Sequence, residues 1–208
     1  MAIDDRYRDI LEAATETFAR RGFHQATTRE IARAANLSLA GLYHYVGGKE
    51  ELLLFALDRS LDTLIEALDR ALVNARGPED KLLALIRTHL DFGFHHAAAL
   101  RIINRDYEHL TEPRRGEIVA KRQTYVQRGL AVLREIDPHG RSGDDLLSAT
   151  NLLLGMLNGI ARRPFLESSE DVRMLATTVG ALFLYGFLER AAVGGASSAA
   201  RLGDRHDA

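Results

Sequence analysis

Polar side chains that could contact nucleic-acid phosphates cluster in the first quarter of the 208-residue sequence. Tyr43 and His44 are adjacent hydrogen-bonding groups, and Lys49 stands at the predicted start of a long helix. There, an ammonium group and free backbone N–H groups can bind one phosphate together. Thr28 and Arg29, which begin an earlier predicted helix, could contact a second phosphate. These residue types and spacings favour a nucleic-acid partner.

Two short helices joined by a tight turn are predicted to position these side chains. Thr27 can cap the first helix, and Glu30, three residues later, completes a capping box. Asn36 can adopt the left-handed conformation that ends a helix. Ser38 can then cap a second helix over Leu39–Tyr45, before two glycines end it. The segment is therefore predicted to fold as a helix-turn-helix.

The second helix is too short to be stable alone, because nucleation is costly and few hydrogen bonds follow it. Leu42 and Val46 form its buried side, and the remaining residues mostly face outward. A small, smooth outer face with one aromatic ring and one imidazole suits a helix that lies in the DNA major groove. Arg29 is the only long donor near that groove, so few direct hydrogen bonds to bases are expected. The alternative is an ordinary amphipathic helix with a polar outer face.

Residues 8–53 resemble the DNA-binding domain of the tetracycline-repressor (TetR) family of regulators. The shared features are the first helix R-D-I-L-E-A-A-T-E-T-F-A-R-R-G-F, the core I-A-x-A-A-x-L-S, the run L-Y-H-Y and the pair Lys49-Glu50. The resemblance implies that the DNA-binding residues are Thr28, Arg29, Ser38, Leu39, Ala40, Gly41, Tyr43, His44 and Lys49. It also implies a homodimer, because a symmetric pair of subunits fits a palindromic operator.

The charge balance alone does not support DNA binding. The chain has 27 Lys and Arg residues against 29 Asp and Glu residues, for a net charge of −2. Proteins that bind nucleic acids usually carry a clear basic surplus. The acidic residues of the N-terminal segment lie mainly in its first helix, away from the proposed DNA face. The motif, rather than the composition, therefore carries the prediction.

The composition predicts a cytoplasmic protein with no membrane partner. The chain has no cysteine, which excludes disulfides, thiolate chemistry and cysteine–zinc sites and suits a reducing compartment. No basic-then-apolar signal peptide follows the N-terminus. The most apolar run, Met174–Leu188, is shorter than the roughly 18–20 residues that a membrane span needs.

Helical spacing of the apolar residues, with no strand-like alternation, predicts an all-α fold of about nine helices. A helix from Lys49 to about Asn74 would span roughly 40 Å, enough to connect a DNA-binding segment to a separate body. Two of the later helices are predicted over Leu100–Leu110 and Val172–Val193. We therefore expect a helix-turn-helix domain at 1–48, a ligand-binding and dimerisation domain at 49–193, and a disordered tail at 194–208.

Small residues on the last two predicted helices indicate close helix packing. Ser148, Gly155 and Gly159 lie along one face of the penultimate helix, and Gly180 lies in the last. Such packing could occur within one subunit or between two. The TetR resemblance favours a dimer interface of two helices from each subunit, made by Asn151, Gly155, Gly159, Val179, Phe183 and Phe187.

Aromatic and polar residues of the central helices could line a ligand cavity, although any of them could equally form the core. The candidates are Phe92, His96, Ile103, Arg105, Tyr107, Tyr125, Met156 and Asn158. The segment N-R-D-Y-E-H-L-x-E-P-R-R-G-E-I and the later L-L-G-M-L-N resemble TetR members that respond to acyl-CoA or related lipid-degradation intermediates. This resemblance implies a small hydrophobic or acyl-CoA-like effector, with Arg101 or Arg105 near its anionic group.

Metal and enzyme chemistry are weaker interpretations of the same sequence. Asp91 and His95 lie four residues apart on a predicted helix, with His89 nearby, and this spacing could start a metal site. Histidines on a partly exposed helix are far more common than metal sites, so no metal or other cofactor is predicted. The sequence contains neither a cysteine nucleophile nor a G-x-S-x-G motif, so no enzyme is predicted.

The interpretation that fits most features is a homodimeric, ligand-responsive transcriptional regulator that acts as a repressor. Its partners would be double-stranded operator DNA, a second copy of itself and a small effector. Two alternatives stay open on the sequence alone. The chain could be an all-α protein–protein interaction module, or a small-molecule carrier or enzyme built on a helical bundle.

Overall fold

The computed structural model describes residues 3–137, 139–161 and 168–188, which contain nine α-helices and no β-strand. The helices are α1 (Ile3–Arg21), α2 (Thr28–Ala34), α3 (Leu39–Tyr43), α4 (Lys49–Val73), α5 (Pro78–His95), α6 (Ala97–Arg105), α7 (Arg114–Ile136), α8 (Gly143–Ala161) and α9 (Ser169–Ala181). A 3₁₀-helix covers Tyr107–His109, and a π-helix continues α9 over Leu182–Leu188. The predicted all-α fold is confirmed. In this described part of the chain, no helix is long and apolar enough to cross a membrane.

The caps predicted for the helix-turn-helix are present at both helices. Thr27 Oγ1 accepts the backbone N–H of Glu30 at 3.2 Å, and Glu30 Oε2 accepts the N–H of Thr27 at 3.1 Å. The Thr27 N–H and hydroxyl both donate to Glu30 Oε2, and these two bonds lower the pKa of the Glu30 carboxyl group below its ordinary value. Asn36 makes the turn with a left-handed φ of 58°. Ser38 Oγ then accepts the N–H of Gly41 at 3.0 Å and starts α3.

Helix α3 is shorter than predicted, because it ends at Tyr43 rather than Tyr45. The Tyr45 N–H instead donates to the Leu42 carbonyl at 2.9 Å, and the chain turns towards α4. The Leu42 side chain has no exposed surface and anchors the helix to the core. With five residues, α3 is held in place by packing rather than by its own hydrogen bonds.

Helix α4 connects the head, which we define as residues 3–48, to the body, the described residues from 49 onward. Its 25 residues span about 37 Å at roughly 1.5 Å per residue, close to the predicted length. It packs against α1, α5, α6 and α7. Its buried residues, such as Leu53 and Leu57, share one hydrophobic core with Phe18 of α1 and Leu133 of α7. The core is therefore continuous between head and body.

The segment predicted as one helix over Leu100–Leu110 is divided in the structure. Helix α6 begins at Ala97 and ends at Arg105, and a 3₁₀ turn follows it. The division occurs at Asp106, whose buried carboxylate accepts the Arg105 Nε and Nη2 N–H groups at 2.9 and 2.8 Å. The His109 N–H donates to the Asp106 carbonyl at 3.1 Å and closes the turn. Apolar spacing cannot indicate such a buried ion pair.

The C-terminal helices cover α5 and α7, because α9 packs against α5 and α8 packs against both. Ser168 caps α9, since its Oγ accepts the Asp171 N–H at 3.2 Å. The last helix was predicted over Val172–Val193, whereas α9 begins at Ser169, ends at Ala181 and continues as a π-helix to Leu188. Residues 189–193 of that prediction lie outside the described residues. The predicted tail at 194–208 lies outside the described residues.

Candidate nucleic-acid interface and body cavity

The outer surface of α3 and the start of α2 form an exposed polar face. Tyr43 has 49% of its surface exposed, and its hydroxyl lies 3.3 Å from Thr28 Oγ1. Ser38, Ala40 and His44 are also exposed. The turn between the two helices thus brings Tyr43 and Thr28 together. Hydroxyl groups of this kind commonly contact DNA phosphates.

Small residues shape the rest of this face. Leu39 and Gly41 are partly exposed beside the exposed Ala40. A Cβ atom on Gly41 would lie 3.2 Å from Ser38 Oγ, so a larger residue would crowd the helix cap. The face therefore offers a smooth surface to a groove, with few hydrogen-bonding groups for base edges.

Two exposed arginines flank this face on α2. Arg29 and Arg33 lie four residues apart and line a shallow groove together with Asn36 and Leu39. Neither forms an ion pair with a residue in 3–137, 139–161 or 168–188, whereas the intervening Glu30 pairs with Arg21. Guanidinium groups without an acidic partner can bind DNA phosphates. Arg33 was not predicted as a DNA-binding residue, although its spacing from Arg29 is a usable signal.

The ammonium group of Lys49 is turned towards the protein. Its Nζ donates to the carbonyl oxygens of His24 at 3.3 Å and Ala26 at 3.1 Å. It also lies 4.6 Å from the centre of the Phe23 ring, a cation–π distance. The structure therefore uses Lys49 to fasten α4 to the loop between α1 and α2, whereas the prediction directed it to a phosphate.

A cavity of about 220 Å³ lies inside the body, between α4, α5, α6, α7 and α8. Its apolar wall comes from Leu61, Leu64, Leu100, Ile103, Val126 and Leu154. Its polar wall comes from His89, Asn104, Arg122, Tyr125, Asn151 and Asn158. Because five helices contribute, the cavity is a product of the tertiary fold rather than of any one segment.

A chain of hydrogen bonds fixes the polar wall. The Tyr125 hydroxyl lies 3.0 Å from His89 Nδ1, and His89 Nε2 lies 3.2 Å from Asn158 Oδ1. Asn104 Nδ2 donates to the same Oδ1 at 2.6 Å. Because an amide oxygen only accepts, His89 Nε2 carries the proton, and Nδ1 accepts from Tyr125. The opposite tautomer would leave the buried Tyr125 O–H without an acceptor.

Burial sets the protonation of this network. It lowers the pKa of His89 to about 4, so the imidazole is neutral at pH 7. Burial also raises the pKa of the Tyr125 hydroxyl above its ordinary value, so the hydroxyl keeps its proton. Neutral groups that are hydrogen-bonded cost much less to bury than charged ones. The network therefore forms a polar wall without net charge.

Arg122 adds a cation to that wall. Its guanidinium lies 4.2 Å from the centre of the Tyr107 ring, and its Nη1 donates to the Ile103 carbonyl. Burial lowers the pKa of Arg122 below its ordinary value, although the group remains charged at neutral pH. Three of the eight predicted ligand-binding residues line the same cavity: Ile103, Tyr125 and Asn158. Tyr107 lies beneath the guanidinium, next to that wall.

The other four predicted ligand-binding residues lie away from this cavity. The rings of Phe92 and His96 are tilted by 39° with centres 5.0 Å apart, at a separate cleft beside α1 and α4. Arg105 contacts α1 instead, where its Nη2 donates to the Phe18 carbonyl at 2.7 Å. Met156 is 37% exposed on α8. Helical spacing predicts which residues share a face, but not which element that face contacts.

Four polar residues of the cavity were outside the eight predicted ligand-binding residues: His89, Asn104, Arg122 and Asn151, the last of which was predicted for the dimer interface. His89 was considered only as part of a metal spacing with Asp91 and His95, but its ring belongs to the cavity network. In the part of the chain that the structure describes, no three His, Asp or Glu residues are grouped to hold a metal ion. The usable signal was a polar residue at a core position of an amphipathic helix, because His89 is 3% exposed.

The residues predicted for a dimer interface divide into two sets. Three of them are exposed on α8: Asn151, Gly155 and Gly159. Val179 and Phe183 are only 3% and 8% exposed and pack against their own chain, and their place in a dimer interface stays a prediction. The side chain of Phe187 lies outside the described residues.

A different set of apolar side chains is exposed on the same C-terminal elements: Leu152, Met156, Met174, Leu182 and Tyr185. Met174, Leu182 and Tyr185 follow helical spacing along α9 and the π-helix, and Leu152 and Met156 follow it on α8. Exposed apolar side chains on a helix are candidates for an interaction surface. We call these five residues the apolar surface.

Two family models match the chain. One, described as bacterial regulatory proteins of the tetR family, matches residues 10–55. The other, described as the tetracyclin repressor-like C-terminal domain, matches residues 75–162. The first contains the polar face of α2 and α3, and the second contains His89, Arg122, Tyr125 and Asn158 of the cavity.

Similar proteins agree with this match. The chain is 34% identical over 110 residues to the transcriptional activator FasR of Mycolicibacterium smegmatis, a match that covers 53% of this chain and 50% of FasR. The chain thus spans about half the length of the curated relatives it matches, or less. These relatives are named transcriptional regulators, in agreement with the prediction of a regulator rather than an enzyme.

Solved structures with the same fold match over nearly the whole chain. A TetR-family regulator from Bordetella parapertussis has a TM-score of 0.81 at 25% identity, with 90% of this chain and 98% of that chain covered. The structure of AibR in complex with isovaleryl coenzyme A and operator DNA has a TM-score of 0.75 at 26% identity, with 86% and 98% covered. Because the two family models together match more than half of its residues, the chain belongs to the TetR family of bacterial regulatory proteins.

Proposed function

We propose that the chain is a homodimeric transcriptional regulator that binds a palindromic DNA operator and acts as a repressor. In this proposal, residues 1–48 bind DNA, and residues 49–193 bind a small hydrophobic effector and the second subunit. The observation that carries it is the exposed face of Tyr43, Thr28 and Arg29 in a chain of the TetR family. A DNA partner also implies that the protein acts in the cytoplasm.

The geometry of the head supports a helix seated in the major groove. Tyr43 is exposed and can place its ring against a thymine methyl group. Arg29 and Arg33 stand on α2, where they can bind phosphates beside the groove. The face of α3 has few donors, so we expect phosphate contacts and DNA shape to supply much of the affinity and specificity. AibR, a structural neighbour, was solved with operator DNA, which supports the same use here.

The apolar surface supports a dimer formed through α8 and α9. Leu152 and Leu182 are 69% and 63% exposed, and exposure of apolar side chains to water is unfavourable. A second copy related by a two-fold axis would cover this surface, because symmetric homodimer interfaces pair the same patch on both subunits. Two heads related by that axis would match the two halves of a palindrome.

Helix α6 supports a link between the cavity and the head. Ile103 and Asn104 of this helix line the cavity. From the same helix, Arg101 Nη1 and Arg105 Nη2 donate to carbonyl groups near the end of α1, at 3.4 and 2.7 Å. An effector that displaces α6 would therefore displace α1 as well, and misalign the two heads of a dimer. A tenfold loss of operator affinity requires the effector to prefer the displaced state by only about 1.4 kcal/mol.

The effector class that we propose is acyl compounds, with acyl-CoA as the first candidate. The cavity supports it by joining an apolar wall to a few hydrogen-bonding groups, as small-molecule sites usually do. AibR, which was solved with isovaleryl coenzyme A, supports the same class.

The test is fluorescence anisotropy with a labelled duplex taken from the DNA upstream of the chain's own coding sequence. We expect tighter binding to this duplex than to a shuffled duplex of equal length and composition. We also expect a short acyl compound, added either as the free acid or as its CoA thioester, to weaken binding to the first duplex at least tenfold. Equal binding to both duplexes would overturn the proposal and favour a protein–protein interaction module. Effector binding without any operator binding would favour a small-molecule carrier.

A further inference from the structure

Arg122 presents a cation without an acidic partner to a cavity whose other polar groups are neutral. In residues 3–137, 139–161 and 168–188, no carboxylate forms an ion pair with it, and its one protein acceptor there is the Ile103 carbonyl. Glu108 acts on it only through space, and its Oε1 accepts the Tyr107 hydroxyl at 3.3 Å. A guanidinium has five N–H donors, so several remain available for a ligand.

Asn158 supplies a second donor beside this cation. The hydrogen-bond chain from Tyr125 through His89 orients the Asn158 amide, because Oδ1 must accept from His89 Nε2. Asn104 Nδ2 donates to the same oxygen. The Asn158 Nδ2 group therefore points away from both partners. Within the part of the chain that the structure describes, its two N–H groups have no acceptor, so they can donate to a ligand in the cavity that Asn158 lines. His89 and Tyr125 act here as positioning residues.

The rest of the cavity limits the size and polarity of a ligand. Its volume of about 220 Å³ equals about seven water-sized groups at roughly 30 Å³ each. The opposite wall is apolar and includes Leu61, Leu64 and Val126. A short hydrocarbon chain fits within this space, whereas a long fatty chain would have to extend past the exposed Asn151 and Gly155 of α8.

We infer that the effector is a short-chain carboxylate, whose oxygens accept hydrogen bonds from Arg122 and Asn158 while its hydrocarbon part fills the apolar wall. A carboxylate is the group that suits a free guanidinium and an adjacent amide N–H, because it accepts from both and neutralises the cation. The inference rests on the proposed function and narrows its effector from acyl compounds in general to an unesterified short acid.

The test is isothermal titration of the full chain with hexanoate, hexanamide, dodecanoate and hexanoyl-CoA. We expect hexanoate to bind at least about tenfold more tightly than the other three, because only hexanoate combines a free carboxylate with a chain that fits the cavity. Hexanamide has the same chain but no charge, and dodecanoate has the same charge but exceeds the cavity. Equal binding of hexanamide or dodecanoate would overturn the inference.

Two variants locate the carboxylate. Arg122→Gln should weaken hexanoate binding at least about tenfold and leave hexanamide binding unchanged. Asn158→Asp should do the same, because Asp keeps the oxygen that accepts from His89 and Asn104 but replaces the N–H donors with a negative charge. Arg128→Gln is the matched control, since Arg128 lies on the same helix but binds Asp69 at 2.9 Å. It should bind hexanoate as the unmodified chain does.

The outcomes separate this inference from the proposed function. If Arg122→Gln fails to fold by circular dichroism, Asn158→Asp decides the question, and unchanged hexanoate affinity in a folded variant overturns the inference. Operator release by hexanoyl-CoA, with no binding of hexanoate, would contradict the inference and leave the proposed function standing. Specific hexanoate binding that changes no operator affinity would support the carboxylate site and contradict the proposed switch.

Discussion

The head and the body cavity each hold a tyrosine hydroxyl within hydrogen-bond distance of a neighbour, but in opposite surroundings. In the head, the Tyr43 hydroxyl lies 3.3 Å from Thr28 Oγ1, and the residue is 49% exposed. In the body, the Tyr125 hydroxyl lies 3.0 Å from His89 Nδ1, and the residue is 5% exposed. Each pair contains a tyrosine hydroxyl, so the main difference between the pairs is their exposure to water.

The two regions differ in the free-energy cost of breaking the tyrosine hydrogen bond. Water can replace Thr28 as the hydrogen-bond partner of the exposed Tyr43 hydroxyl. This hydroxyl can therefore leave Thr28 for a phosphate at little cost in free energy. Water cannot reach Tyr125 in the same way, and a buried donor left without an acceptor costs about 1–3 kcal/mol. The head therefore keeps its polar groups available for a partner, whereas the cavity network holds its own shape and orients the groups that face a ligand.

The largest expected effect tests how strongly DNA binding by the head depends on dimerisation of the body. Leu182→Asp places a charge on the apolar surface, where Leu182 is 63% exposed and can be substituted without disturbing the core. We expect a monomer whose operator affinity falls by about 10²–10⁴-fold, because two linked heads bind far more tightly than one. Sedimentation velocity and anisotropy measure the two effects.

The matched control for Leu182→Asp is Val73→Asp, since Val73 is 84% exposed at the end of α4, outside the apolar surface. This variant should remain dimeric and bind the operator with full affinity. A monomeric Leu182→Asp variant with unchanged operator affinity would contradict the dependence of the head on the body.

The next expected effect is a pH dependence of the folding stability that comes from the buried His89 of the cavity network. Burial lowers the pKa of His89 to about 4, while a histidine in the unfolded chain has its ordinary value of 6.5. Between these values the unfolded chain binds more protons than the folded chain, so stability falls as the pH falls through this window. The loss amounts to about 3 kcal/mol at roughly 1.4 kcal/mol per pKa unit. Urea unfolding at several pH values measures it.

His89→Gln should remove most of this pH dependence. His44→Gln is its control, because His44 is exposed in the head and should leave the dependence unchanged. A His89→Gln variant that retains the full slope between pH 6.5 and pH 4 would show that another group is responsible.

A smaller pair of effects compares the two tyrosines directly. Tyr125→Phe should lower stability by about 1–3 kcal/mol, because His89 Nδ1 loses its donor, and should leave operator affinity unchanged in the folded protein. Tyr43→Ala should leave stability nearly unchanged and cost about 1–3 kcal/mol of operator binding per half-site. Thermal unfolding measures the stability of both variants, and anisotropy measures their operator affinity. The same response from both tyrosines would end the distinction between the regions.

The smallest effects distinguish two cations of the head. Arg29→Gln should reduce the slope of log affinity against log salt concentration by about 0.9 per half-site, because one phosphate contact is lost. Lys49→Gln should leave that slope unchanged and lower stability by about 0.5–1.5 kcal/mol, since its Nζ binds the carbonyls of His24 and Ala26. A reduced salt slope for Lys49→Gln would instead place this ammonium on the DNA.

The head could be predicted from the sequence in some detail, because its structure depends on neighbours. The capping box of Thr27 and Glu30, the left-handed Asn36 and the Ser38 cap each involve residues within four positions. Local propensity and side-chain chemistry are enough to predict such features. The direction of the Lys49 ammonium was not predicted, because it depends on a loop more than twenty positions earlier in the chain.

The cavity could not be predicted in the same way. His89 and Asn158 share a hydrogen bond across 69 positions, and no spacing within either helix indicates that contact. Arg105 illustrates the opposite error, since it lies near the predicted ligand segment but contacts Phe18 of α1. Apolar residues lie on more than one side of the last helix, so periodicity could not tell that Val179 faces inward.

The central claim is that the exposed head of one chain reads half of a palindrome, and that the body joins two such heads. Sedimentation velocity of the full chain with a labelled duplex from the DNA upstream of its own coding sequence tests this most directly. We predict two chains on each duplex, with a lower affinity for a shuffled duplex at the same salt concentration. One chain on each duplex, or equal affinity for the shuffled duplex, would contradict the account.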